Sequence, residues 1–254
     1  MFSLPLLKQS IKANWVLWAA LTAVMSLLCV QFSAMKMTQG MMFEIYYGMM
    51  VVILPGVYVM VTANKLLASQ VDRGSMAYVL STPTRRGTVV ATQILYLIGS
   101  LLLMFAIPTA LHAAVNAGSP ITYADAAAHV THVVTAGDIV LVNLSAFVAC
   151  ALMGGICFML SGIFNLSKYA IGVGGALVMF FILAGMLAMF GTMGGSSITF
   201  LKSFQYLTVT SLFDYKSILL STTVWLPKLA AAAVGTVATL GIGSAVFCKK
   251  DLPL

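Results

Sequence analysis

Few side chains in this sequence could do chemistry, and their spacing removes most of them. Asp125, His129 and His132 stand at i, i+4 and i+7, which on a helix would bring them together, and three such ligands can hold zinc. They sit in a run rich in Ala and Thr that reads as solvated surface, so no metal is assigned. His112 stands alone at the end of an apolar stretch and reads as interfacial. The four cysteines, Cys29, Cys150, Cys157 and Cys248, all lie within or at the edge of apolar runs. Cys150 and Cys157 share a helix face two turns apart, roughly 10 Å by helical rise and too far for a disulfide. They read as small buried apolar residues. No Ser/His/Asp set, H-E-x-x-H or G-x-x-x-x-G-K-[ST] pattern is present. The expectation is a chain with no catalytic residues, no cofactor of its own and no ATP hydrolysis of its own.

The elements that position these residues follow from composition. Of 254 residues, 61% are hydrophobic and only 7% charged. A soluble domain carries about 25% charged residues, so this chain could not cover a water-facing surface, and lipid must be its main solvent. Hydrocarbon gives backbone N–H and C=O groups no partner, which leaves helices or a closed barrel. The apolar runs are long and continuous rather than short and alternating, so helices are expected. The fold class is all-α integral membrane, one transmembrane domain over 1–254 with about six spans. The net charge of +7 comes from residues scattered at the ends of apolar runs. No basic stripe of the kind nucleic acid requires is formed.

Residues 1–14 place Leu4, Leu7 and Ile11 on one helical face and Lys8 and Lys12 on another, with Pro5 suited to a first turn. This predicts a short helix lying along the membrane surface, with Trp15 and Trp18 at headgroup depth. The spans are predicted at roughly 15–33, 44–68, 88–115, 138–164, 169–190 and 224–247. Pro55 is expected to kink the second. Segment 116–137 reads as a loop of small and polar residues. With the N-terminus inside, the inner segments hold Lys8, Lys12, Lys65, Arg73, Arg85, Arg86, Lys168, Lys249 and Lys250, against Lys36, Lys202, Lys216 and Lys228 outside. That asymmetry places a multi-pass protein in the cell membrane with both termini cytoplasmic. Small residues mark close helix approach: Ala231, Gly235, Thr239 and Gly243 in span six, Gly172 and Ala176 in span five, Ala151 and Gly155 in span four. They suit packing within the bundle or a seam between two copies.

The most informative segment is 70–86, between spans two and three. Ser75 could cap a short helix, Met76, Val79 and Leu80 form an apolar stripe at helical spacing, and Pro83 ends the element. Periodicity leaves two uses open: docking in a groove of another protein, or lying flat on lipid. Asp72-Arg73-Gly74-Ser75, followed by Leu80-Ser81-Thr82-Pro83 and Arg85, resembles the first cytoplasmic loop of type-2 ATP-binding-cassette (ABC) exporter permeases. Val71, where many members have a second acid, and the Ala77-Tyr78 pair depart from that pattern. The order of spans agrees over essentially the whole chain. The resemblance implies that 70–86 is a coupling segment seated in a groove of a separate ATPase subunit. Asp72, Arg73, Gly74, Ser75, Met76, Tyr78, Val79 and Leu80 would form the contact, with ATP and Mg held by the partner. It also implies two ATPase copies and a second permease copy, in a homo- or heterodimer.

Segment 191–223 carries its own helical pattern, with Phe200, Phe204 and Leu207 on one face and Leu212, Phe213, Ile218 and Leu219 also apolar. The resemblance implies short half-buried helices closing the outer side of a pathway, with Phe200, Phe204 and Phe213 as the gate. Ordinary interfacial aromatics read equally well from composition. The spans are nearly free of ionisable residues, which disfavours an ion-coupled secondary carrier and an intramembrane protease. The 17 methionines suit a deformable apolar lining for hydrophobic or amphipathic cargo: peptide, antibiotic or lipid-like. The sequence therefore points to the permease subunit of an ATP-driven exporter. A membrane scaffold or sensor that docks a cytoplasmic partner is the second reading.

Overall fold

The computed structural model describes residues 2–34, 43–76, 85–125, 130–192 and 199–250. Among the described residues, six helices are long and apolar enough to cross a membrane, and the chain is a multi-pass, predominantly helical membrane protein. In chain order, the elements begin with α1 (Leu4–Ala34), a π-helical stretch (Phe43–Met50), α2 (Val51–Leu66) and α3 (Ala68–Asp72). Next come α4 (Arg86–Gly118), strands β1 (Thr122–Asp125) and β2 (Val130–Val133), α5 (Ala136–Ile163) and α6 (Ser167–Thr192). Short α7 (Thr199–Ser203), two 3₁₀ turns (Phe204–Leu207 and Val209–Leu212) and α8 (Tyr215–Leu219) lead into α9 (Trp225–Lys249).

Three expectations are corrected. The surface helix over 1–14 is not a separate element, because α1 runs unbroken from Leu4 to Ala34. At a rise of 1.5 Å per residue, this is a rod of roughly 46 Å, longer than the ≈ 30 Å hydrocarbon core. Nothing near Asn14 breaks it. Asn14 turns its amide onto the Ser10 carbonyl, and Ser10 Oγ donates to Gln93 Oε1 of α4 at 2.9 Å. The loop over 116–137 holds an antiparallel hairpin in which Tyr123 faces His132 and Thr122 faces Val133. The helical spacing of Asp125 and His132 therefore has no helix beneath it. His112 is not interfacial but fully buried.

Helix α5 is the centre of the bundle and touches α2, α4, α6 and α9. A capping box starts it: Thr135 Oγ1 accepts the Asp138 N–H, and the Asp138 carboxylate accepts the Thr135 N–H. The small residues of α5 and α9 interlock. A Cβ at Gly162 would stand 2.8 Å from the Gly243 carbonyl oxygen, and one at Gly243 would stand 2.8 Å from Met159 Cα. Gly155 likewise leaves room only for Thr239. These glycines serve packing within the chain, whereas a Cβ at Gly172 would meet nothing within 4 Å.

The two chain ends lie at one end of the bundle. Ser3 N–H donates to Thr92 Oγ1 near the start of α4. Arg86 donates to the Lys250 carbonyl at 2.6 Å, and Lys250 Nζ donates to the carbonyls of Gly162 and Ile163. The hairpin and the 199–224 connection occupy the opposite end.

Candidate functional site

The hairpin end holds a cavity of about 250 Å³ between the π-helical stretch, α6 and the 208–216 connection. Glycine lets these elements meet. A Cβ at Gly185 would collide with Thr210, and one at Gly191 would lie 2.9 Å from Leu201 Cβ and 3.0 Å from the Lys202 nitrogen. Because α6 is bare at these two positions, the connection folds back against it. Thr208 fixes the join by donating to the Phe181 carbonyl at 2.7 Å and accepting the Thr210 N–H at 3.1 Å.

The wall includes the rings of Tyr47, Phe213 and Tyr215 and the thioethers of Met49, Met186 and Met189, among aliphatic and polar side chains. Tyr47 lies 6.4 Å centroid to centroid from both Phe213 and Tyr215, which are themselves 5.8 Å apart. One ion pair borders the cavity. Asp214 accepts Lys228 Nζ at 2.5 Å, Ser217 Oγ at 2.8 Å and the Ser217 N–H at 3.1 Å. Burial works to raise the Asp214 carboxyl, but the hydrogen bonds from Lys228 and Ser217 outweigh it and hold the carboxyl below its ordinary range. The acid stays ionised beside the cavity and ties α8 to the first turn of α9.

Behind Tyr47 lies a polar chain that sequence reading missed. Asn143 Nδ2 donates to the Ile139 carbonyl at 2.8 Å and to Tyr47 Oη at 3.0 Å. Both amide protons are thereby used. Tyr47 Oη and His112 Nδ1 share a hydrogen bond at 2.8 Å, the imidazole tautomer deciding which of them donates. His112 Nε2 and Asn143 Oδ1 are buried and have no partner among the described residues. Phe43 stacks on Tyr47 at 5.6 Å and packs edge-on to Tyr123 of the hairpin at 5.3 Å, which seals the chain from the cavity's far side. The only sequence signal was polarity: Tyr46 and Tyr47 at a span entry, and Asn143 inside a span. Helix pairing alone decides that they meet.

The predicted gate splits in two. Phe213 is buried in the cavity wall. Phe200 is 71% exposed and pairs edge-to-face with Phe204 at 5.5 Å, away from the cavity lining. Phe213 thus stands apart from the Phe200–Phe204 pair.

At the other end, the chain turns at residues 72–75. Gly74 adopts a left-handed φ of 69° and its N–H donates to the Val71 carbonyl, ending α3. Asp72, Arg73 and Gly74 are exposed. Ser75 Oγ donates to the Gln70 carbonyl at 3.1 Å. Met76 is fully buried. Tyr78, Val79 and Leu80 lie outside the described residues. Asp72 accepts the N–H of Ser167, the first residue of α6, at 3.2 Å, a favourable place for a carboxylate at a helix N-terminus. Asn64 of α2 donates to Ser167 Oγ at 2.8 Å.

His132 bonds Asp138 at 3.0 Å; His129 lies outside the described residues, and no group of three ligating side chains occurs among those described. No family model matches this chain, and no curated protein matches it.

Proposed function

We propose that this chain is the permease subunit of an ATP-driven ABC exporter, moving hydrophobic or amphipathic cargo such as a peptide, antibiotic or lipid-like molecule. The observation that carries the reading is a rigid connection. The exposed Asp72-Arg73-Gly74 turn is bonded through Asp72 to the N-terminus of α6, and the far half of α6 lines the aromatic cavity through Ile182, Gly185 and Met189. A push on the turn is delivered along the axis of one helix to the cavity wall. Helices are stiff in that direction, and opening or closing needs only a small shift of α6 against the 208–216 connection. The acid–Arg–Gly–Ser order of the turn resembles the coupling loop of type-2 exporters. Two ATPase subunits would seat on the turn and hold ATP and Mg, and a second permease copy would complete the pathway. The basic residues concentrated at the turn's end support placing that end, with both termini, in the cytoplasm of a cell membrane.

The cavity supports the cargo class. Methionine and aromatic walls adapt to irregular apolar shapes, and the Thr208, Thr210 and Ser211 hydroxyls with the Asp214–Lys228 pair give a polar rim. In this reading Phe213 and Tyr47 close the cavity, and the pair of exposed Phe200 and half-buried Phe204 lies at the membrane–water boundary.

The test is co-purification of the chain in mild detergent from its host, followed by ATPase assay. Recovery of an ATPase whose activity is stimulated by the chain, with recovery lost in Asp72→Lys/Arg73→Glu, is the expected result. A well-folded chain that brings down no ATPase defeats the exporter reading and favours a scaffold that docks some other cytoplasmic protein.

A further inference from the structure

Helices α1 and α4 run side by side, joined by Ser3 to Thr92, Ser10 to Gln93 and Trp18 to Ser100. Their outward seam is not smooth. It opens into a groove of about 490 Å³ whose lining is almost wholly apolar, with Ile11, Trp15 and Trp18 on one side and Leu102 and Leu103 on the other. Gly99 contributes to the hollow because it has no side chain; a Cβ there would meet nothing within 4 Å. The Trp18 wall is held in place, since its indole N–H donates to the Ser100 carbonyl at 2.8 Å. Ile11, Trp15, Leu102 and Leu103 remain roughly half exposed, so no other part of the described chain covers the groove.

Charge selects the occupant. Lys8 and Lys12 are exposed on α1, each next in sequence to a lining residue, Leu7 and Ile11, on the adjoining face of the helix. The sequence places no Asp or Glu in residues 1–43 or 73–124, so neither α1 nor α4 offers an acid to neutralise them. Two long cationic side chains flanking a fixed apolar furrow fit one molecule that is anionic at one end and hydrocarbon at the other. We infer that the α1–α4 groove is a binding site for a single anionic phospholipid, its acyl chain seated over Gly99 between Trp15 and Leu103 and its headgroup held by Lys8 and Lys12. This inference is independent of the exporter reading.

Each lysine near the headgroup contributes about fivefold in favour of an anionic lipid, so the pair gives a preference on the order of 30-fold. The experiment is native mass spectrometry of the full chain released from micelles containing equal amounts of phosphatidylglycerol and phosphatidylcholine with identical acyl chains. One retained phosphatidylglycerol per chain is expected, with the preference falling to parity in Lys8→Gln/Lys12→Gln and persisting in Lys249→Gln. In Gly99→Phe, where the new ring fills open space and leaves helix packing intact, retention of either lipid should be lost. Equal retention of both lipids by the native chain would overturn the inference, as would full retention by Gly99→Phe. A preference that falls equally in Lys249→Gln would reduce it to bulk charge and overturn it too. A native dimer that persists without lipid and dissolves in Gly99→Phe would assign the groove to a second copy instead.

Discussion

The two ends of the bundle solve the same problem, how to finish helices in polar surroundings, in opposite ways. At the hairpin end the polar groups are drawn inward: Tyr47, His112 and Asn143 bond to one another under a cover of rings, and Asp214 pairs with Lys228 beside a cavity. At the end holding both termini the charged groups stay out, although Ser10, Gln93 and Asn64 are buried there. Asp72, Arg73 and Gly74 are exposed, and side chains of Asp72, Arg86 and Lys250 reach only as far as backbone groups of neighbouring helix ends. Buried networks fix a unique geometry and are costly to break, whereas exposed turns can engage and release a partner at little cost. The difference suits a machine that receives force at one end and shapes a pathway at the other.

The comparison breaks most severely along the seam that joins the ends. Gly162→Leu or Gly243→Leu drives a side chain into the facing backbone, where no rotamer escapes the collision. The expected result is loss of monodisperse, folded protein by size-exclusion chromatography, because overpacking of this kind costs about 1–3 kcal/mol or more even where the neighbours can move. Gly172→Leu, facing open space, should leave the elution profile unchanged.

The buried network at the hairpin end should respond next. Tyr47→Phe leaves His112 Nδ1 without its partner and one Asn143 amide proton without its acceptor, at a cost of about 1–3 kcal/mol for the groups left unpaired. A lowered melting temperature in detergent is the readout. Removing the partners together, as in Tyr47→Phe/His112→Leu/Asn143→Leu, should recover most of the loss, since matched apolar replacement of a hydrogen-bonded set is far less costly than breaking it halfway. A triple variant less stable than the single one would show that the network does more than satisfy itself.

How much of this was legible in the sequence follows from the range of the interactions. Six spans were readable because each is a long local run of apolar residues, and a span's length is set by the bilayer. The hairpin was not, because Val130–Val133 is four residues long and the Asp125/His129/His132 spacing imitates a helix. Strand pairing is decided by Thr122–Asp125 on the far side of the turn. The continuity of α1 was obscured by an amphipathic start that reads equally as a surface helix; its packing on α4 decides the matter. Of the cavity, Phe213 was foreseen while Tyr47, Gly185 and Tyr215 were not, since the wall is assembled from three distant stretches of chain. Met76 was read as an exposed apolar knob, and its burial depends on contacts that periodicity within 70–86 does not carry.

A smaller effect is expected at Asp214. Its folded-state pKa is depressed, so its stabilising contribution is present above the unfolded carboxylate value near 3.9 and is lost as pH falls through the lower folded value. At neutral pH Asp214→Asn should cost about 1 kcal/mol, a figure limited by the partial exposure of Lys228. Melting curves for the native chain and Asp214→Asn should converge only in strong acid. Convergence already at pH 6 would mean that the pair does not hold α8 to α9.

The smallest stability change and the sharpest functional one should coincide at Asp72. Its single bond to the exposed Ser167 N–H is worth less than about 1 kcal/mol, the size of a surface helix cap. Asp72→Ala should therefore fold and melt almost like the native chain. If α6 carries force from the turn to the cavity, the variant still binds the ATPase through Arg73 and the rest of the segment, yet ATP hydrolysis no longer responds to cargo. Asp72→Asn keeps an acceptor for the Ser167 N–H and should restore most of the coupling, which separates transmission through this hydrogen bond from recognition of charge by the partner. Uncoupling by both variants alike would place the role of Asp72 at the partner's surface rather than at the start of α6.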